Sequence, residues 1–140
     1  MKYLLDTCVV SEIVKRKPAI RVMNWLADVS TESKFVSALT IGEIQKGIDC
    51  LDADSPRRIR LAEWFRSLCG DFADRILPFD EHVAILWGHH MGDALRVGRP
   101  MALDDAKIAA TALYHGMTLV TRNVRDMADF GVEIINPFDH

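Results

Sequence analysis

Short apolar runs at residues 2–5, 35–36, 75–78, 118–120 and 132–135 punctuate a chain that otherwise patterns as helix. Runs this short are buried on both sides only when helices cover them. Strands alternating with helices therefore imply an α/β fold with a central parallel sheet between helical layers. The spacing predicts helices over 9–16 and 20–29, separated by Pro18, with Val22, Met23, Leu26 and Val29 at helical intervals. Ser37 suits the N-cap of a helix carrying Leu39, Glu43, Ile44 and Ile48. Ser55-Pro56 opens another, reaching about residue 68, with Ile59, Ala62, Phe65 and Cys69 on one face. Asp80 caps a long helix bearing Val83, Leu86, Trp87, Met91 and Leu95. A helix over 104–115 stops at Gly116, and a short one spans 124–129.

The length of 140 residues fits one ordinary domain, so residues 1–140 are expected to form a single unit. Cys8, Cys50 and Cys69 are odd in number and widely spaced, which fits neither a disulfide framework nor a zinc ribbon. Asp6 breaks the N-terminal apolar run before it could serve as a signal core, and no stretch approaches a membrane span. A cytoplasmic protein is expected. Its 17 basic and 20 acidic residues give a net charge of -3, which excludes holding nucleic acid by bulk positive charge. Contact with nucleic acid would need a local patch and a bridging cation.

In an open parallel sheet, sites form beyond the carboxyl ends of the strands, where strand order reverses. Asp6 ends the first strand, and Glu43 lies one to two turns into the helix after the second. Asp104 and Asp105 open a later helix, while Asn123 and Asp126 follow the strand at 118–120. If these strands are neighbours, the side chains share one mouth. Two carboxylates about 6 Å apart repel by roughly 3 kcal/mol at an effective dielectric near 20, so a cluster requires protonation or a cation. Oxygen donors without clustered His or Cys select a hard ion, Mg²⁺ or Mn²⁺. Such an ion activates water and stabilises charge on a phosphate, the chemistry of phosphodiester hydrolysis.

Each residue also has a plainer reading. Asp6 suits a turn, and Glu43 suits a solvated pair with Lys46 or Lys34. Asp104 suits a helix N-cap, and Asn123 with Asp126 suits a cap and a first-turn acid. Asp105 stands apart because it shares a face with Ile108, Ala109 and Ala112, a small-residue stripe that packs closely on a sheet. Lys46 and Arg122 are candidate phosphate contacts. The helix beginning Pro56-Arg57-Arg58-Ile59-Arg60 reads as a solvated basic face, or as a surface for RNA or an acidic partner.

Taken together, Leu4-Leu5-Asp6-Thr7, Val9-Val10-Ser11-Glu12, the run from Ser37 to Ile48, Leu77-Pro78-Phe79-Asp80, the run from Asp105 to Ala112, Leu119-Val120-Thr121-Arg122-Asn123 and Ile135-Asn136-Pro137-Phe138 resemble the PIN domain. The similarity is to its VapC/FitB branch, the toxins of type II toxin–antitoxin pairs, and covers essentially the whole chain in order. It implies a three-layer α/β/α sandwich and a Mg²⁺- or Mn²⁺-dependent endoribonuclease. It also implies a homodimer, inhibition by a cognate antitoxin, and a larger toxin–antitoxin assembly. The family's metal-holding acids fall on Asp6, Glu43 and Asp105, and its supporting hydroxyls on Thr7 and Thr121.

The chain departs from the family pattern twice. Cys8 stands where Asn or a small polar residue is common, and Asn123 stands where a fourth acid is frequent. With Asn123 or Asp126 orienting water, one well-held ion is expected rather than two. A catalytically weak binding module and a metal phosphoesterase acting on DNA are the competing readings. No Gly-x-Ser-x-Gly elbow or Gly-rich phosphate loop occurs, and Cys8 has no nearby His in sequence.

Overall fold

The computed structural model describes residues 1–139. Strands β1 (Tyr3–Leu5), β2 (Lys34–Ser37), β3 (Ile76–Leu77), β4 (Thr118–Val120) and β5 (Ile134–Ile135) form a parallel sheet in the order β3-β2-β1-β4-β5. The seven α-helices among the described residues are α1 (Thr7–Val10), α2 (Ile20–Asp28), α3 (Ala38–Asp49), α4 (Pro56–Asp71), α5 (Glu81–Arg96), α6 (Leu103–Tyr114) and α7 (Val124–Met127).

Alternation along the strands divides the core into two layers, because successive side chains leave a strand on opposite faces. Leu4 and Leu119 point into one cluster with Val83, Ile108, Met127 and Phe130, beneath α5, α6 and α7. Leu5 and Val120 point into the other, with Val9, Val22, Ile44 and Leu68, beneath the helices of the first half. This is the expected α/β/α sandwich. Ala106, Ala109, Ala110 and Ala112 are fully buried, so α6 approaches the sheet closely. Trp25, Trp64, Trp87 and Phe65 are partly buried against the two clusters.

Many of the helix boundaries follow from local chemistry. Ser37 Oγ accepts from Leu39 N at 3.0 Å, and Asp80 Oδ1 accepts from Val83 N at 3.1 Å. Ser55 caps α4 with Pro56 in its first turn. Gly116 takes φ +65° just past α6, a left-handed conformation that glycine adopts without penalty.

Three expectations change. The helix over 9–16 is instead α1 followed by a 3₁₀ turn, Ser11–Val14. Asp6 starts α1 at once by accepting from Thr7 N at 2.8 Å. Buried Glu12 then turns inward to accept from Ala19 N at 2.9 Å, which draws the chain into the tighter turn. Asp104 is not the cap of α6: Ala102 holds that position with no side-chain bond, and Asp104 lies in the first turn. Ile59 leaves the apolar face of α4 and is 54% exposed, while Leu68 is 5% exposed.

That contrast on α4 gives a stability prediction. Leu68→Ala should cost about 2–5 kcal/mol through lost burial and a residual cavity. Ile59→Ala should stay within about 0.5 kcal/mol of the parent. Urea unfolding of the two variants measures both values.

Candidate active site

Parallel β1 and β4 lie side by side at the centre of the sheet, with β2 on the far side of β1. Chain order reverses there, so a crevice opens beyond their carboxyl ends. Asp6 follows β1 directly and is 4% exposed. Its Oδ1 accepts from Thr7 N, and its Oδ2 accepts from Thr121 Oγ1 at 2.7 Å. The Thr121 hydroxyl in turn accepts from Asn123 N at 3.0 Å. One buried carboxylate thus ties the end of β1 to the end of β4.

Thr7 extends this network to α3, its Oγ1 lying 3.1 Å from that of buried Thr40. Thr40 precedes Glu43 by about one helical turn, so the contact sets the rotation of α3 that delivers Glu43. Thr40 was not singled out in the sequence, although its spacing to Glu43 is a usable signal. Cys8 Sγ lies 3.8 Å from both Asp6 Oδ2 and Thr121 Oγ1. Burial pushes its thiol up, and the Asp6 charge adds to the rise.

Glu43 is half-buried where two hollows meet. The smaller, about 220 Å³, is lined by Leu39, Gly42, Glu43, Lys46 and Asp104. The larger, about 630 Å³, runs from Glu43 between the 3₁₀ turn and helices α3 and α4. Neither suggested lysine pairs with Glu43. Lys34 Nζ donates to Leu26 O at 2.7 Å, and Lys46 forms no ion pair among the described residues.

Asp105 is half-buried in the first turn of α6. Burial raises its pKa above the ordinary carboxylate value, and the charges of Asp6, Asp126, Glu43 and Asp104 raise it further. The side chains separated in sequence therefore act on one another electrostatically, and Asp105 is where their repulsion is felt. Asn123 occupies the cap position of α7 without a side-chain cap bond, and Asp126 is exposed in its first turn. Arg122 is exposed, its guanidinium 3.9 Å from the Phe138 ring centre.

The donors in this cluster are oxygen atoms, the chemistry of a hard divalent cation. Among the described residues, no group of three His, Cys, Asp or Glu side chains is arranged to hold a metal ion alone. A Mg²⁺-type ion that keeps several waters fits such a site, because one or two carboxylates suffice as direct ligands.

A five-stranded parallel sheet of this order between two helical layers defines an α/β/α sandwich. Residues 3–132 match the model of the PIN domain, and the chain belongs to that family. It is 35% identical to Toxin FitB of Neisseria gonorrhoeae over 135 residues, covering 96% of this chain and 97% of that protein. It is 32% identical to VapC ribonuclease Y4jK of Sinorhizobium fredii over 136 residues, 97% of each. The crystal structure of FitAcB from Neisseria gonorrhoeae superposes with a TM-score of 0.91 at 35% identity, covering 99% of both chains.

The strain at Asp105 has a definite sign in pH. A carboxyl group whose pKa is raised by folding holds its proton more tightly in the native state. It therefore destabilises the fold increasingly as pH climbs from about 4 through the raised native value. In EDTA at pH 7, Asp105→Asn should melt above the parent, and the gap should close as pH falls towards 4. Thermal unfolding at both pH values tests this.

Proposed function

We propose that this protein is the toxin of a type II toxin–antitoxin pair, an endoribonuclease that hydrolyses RNA phosphodiester bonds with Mg²⁺ or Mn²⁺. The observation that carries the reading is the reversal of strand order between β1 and β4, with buried Asp6 directly beyond β1 and bonded to Thr121 beyond β4. The relatives named a toxin and a VapC ribonuclease support it, as does the match along nearly the whole chain.

In this reading Asp6, Glu43 and Asp105 hold the ion. When bound, a hard divalent cation supplies water activation and neutralises charge developing on the phosphate. The chain's own groups do the rest. Thr121 and the Thr7 amide fix Asp6 in orientation. Asn123 orients water through its amide oxygen, and Asp126 adds negative charge at the rim. Lys46, exposed on α3 beside Glu43, meets a phosphate of the RNA.

An antitoxin finds a suitable surface in the larger cleft. Val14, Ile44, Ile48, Leu61 and Trp64 form apolar walls, while Lys15, Arg16, Arg57 and Arg60 supply positive charge. An acidic, apolar segment seated there would cover Glu43. Ile85, Leu95 and Leu103 are exposed by 55%, 67% and 60%, and favour a second copy as homodimer partner.

A catalytically weak binding module is the second reading, favoured by the lack of a three-residue metal cage among the described residues. Incubation of a labelled RNA pool with purified protein separates the two. Cleavage should require Mg²⁺ or Mn²⁺, stop in EDTA, and slow by roughly a hundredfold or more in Asp105→Asn. Equal cutting by Asp105→Asn would reject the assignment. A folded, antitoxin-free parent that cuts nothing would favour the binding module.

A further inference from the structure

A net charge of -3 and a mouth lined with acids leave the binding of a polyanion to a few local cations. Most arginines with assigned contacts are committed elsewhere. Arg75 donates to the carbonyls of Thr31, Lys34 and Asp71, Arg58 to Leu51 O and Asp49, and Arg96 to Asp93. Arg122 differs. It is exposed, and among the described residues it has neither a hydrogen-bond acceptor nor a carboxylate partner for its guanidinium.

Its position is nevertheless fixed at both ends. The backbone of residue 122 lies between Thr121, bonded to Asp6, and Asn123, whose amide returns to the Thr121 hydroxyl. At the far end, the guanidinium lies 3.9 Å from the centre of the Phe138 ring. That ring is itself held. Thr121 N donates to Ile135 O at 3.0 Å, Pro137 is buried, and Phe138 N donates to Asn136 Oδ1 at 3.0 Å. The half-buried ring also packs against the core layer beneath α1–α4. The turn at residues 136–139 thus folds back to carry an aromatic face to one arginine.

Stacking on an aromatic face leaves the in-plane N–H groups of a guanidinium available to solvent or to an anion. A phosphate accepts from two of them at once. Holding the side chain in advance reduces the ordering cost of that contact. The charge of Arg122 acts on Cys8 and Glu12, in the segment just after Asp6.

We propose that Arg122 binds a flanking phosphate of the RNA strand, and that Phe138 is a positioning residue that holds Arg122 in place for it. This rests on the ribonuclease reading and adds a binding subsite to it. Phe138 touches no substrate; it acts through the arginine.

The test combines steady-state cleavage of a short single-stranded RNA with anisotropy of the same labelled RNA in EDTA across a salt series. Arg122→Ala should weaken RNA binding about tenfold at low salt and reduce the salt slope by about one phosphate contact. Its effect should fall on KM, with kcat held within about twofold. Phe138→Ala should shift binding and KM the same way by a smaller factor, and Phe138→Trp should restore both. Adding Phe138→Ala to Arg122→Ala should weaken binding no further.

Thermal unfolding of each variant identifies any loss that comes from misfolding, and the Phe138→Trp rescue then decides the question. A parent that cleaves RNA while Arg122→Ala keeps its KM and salt slope would overturn this proposal alone. Additive losses in the double variant, or no rescue by Phe138→Trp, would do the same. A parent that neither binds nor cleaves RNA would overturn the ribonuclease reading and this subsite with it.

Discussion

The hydrogen bond from Thr121 Oγ1 to Asp6 Oδ2, 2.7 Å long and buried, joins the ends of the two strands between which chain order reverses. A carboxylate removed from water in this way is tolerable only when its oxygens are matched by donors. Asp6 has the Thr121 hydroxyl on one oxygen and the Thr7 amide on the other. The same residue therefore closes the sheet mouth, starts α1, and presents negative charge to the crevice. Thr7 passes the constraint on to Thr40 and so to α3, which carries Glu43. Positions more than thirty residues apart are set by one chain of short polar contacts.

Opposed to these contacts is the repulsion they help assemble. Asp105 enters from α6 because the alanine-rich face of that helix packs tightly on the sheet, and this places it among like charges. The two apolar layers, filled from alternating residues of very short strands, hold the arrangement against that repulsion. In the proposed function, a hard cation bound among these acids would relieve that repulsion. Positive charge lies near these acids, with Lys46 beside Glu43, Arg122 on the Phe138 ring, and the basic rim of the larger cleft.

Much of this was legible in the sequence because it is written in local chemistry. Short apolar runs, the caps Ser37 and Asp80, the Ser55-Pro56 start and the Gly116 stop each act within a few residues, and the structure has them where expected. Asp6 and Glu43 could be marked out because topology sends the ends of parallel strands to one edge, and Asp105 because of its small-residue helix face and the resemblance to the PIN domain. What escaped depends on contacts distant in sequence. Glu12 looks like a surface acid until Ala19 N meets it, and that meeting shortens the first helix. Asp104 matched a cap by type, yet the helix begins before it, and its side chain lines the hollow beside Glu43 instead. Ile59 obeyed the helical period but falls where α4 has no neighbour to cover it. The pairing of Arg122 with Phe138 joins two strand ends that only the folded sheet brings together.

The central claim is that these separated acids act together as one site for a hard divalent ion. Titration of Mn²⁺ into the protein, followed by the electron paramagnetic resonance of the free ion, measures that property without reference to substrate. The account predicts one ion bound per chain, with affinity reduced at least roughly tenfold in Asp105→Asn. Undiminished Mn²⁺ binding by Asp105→Asn, or no binding by the parent, would contradict it.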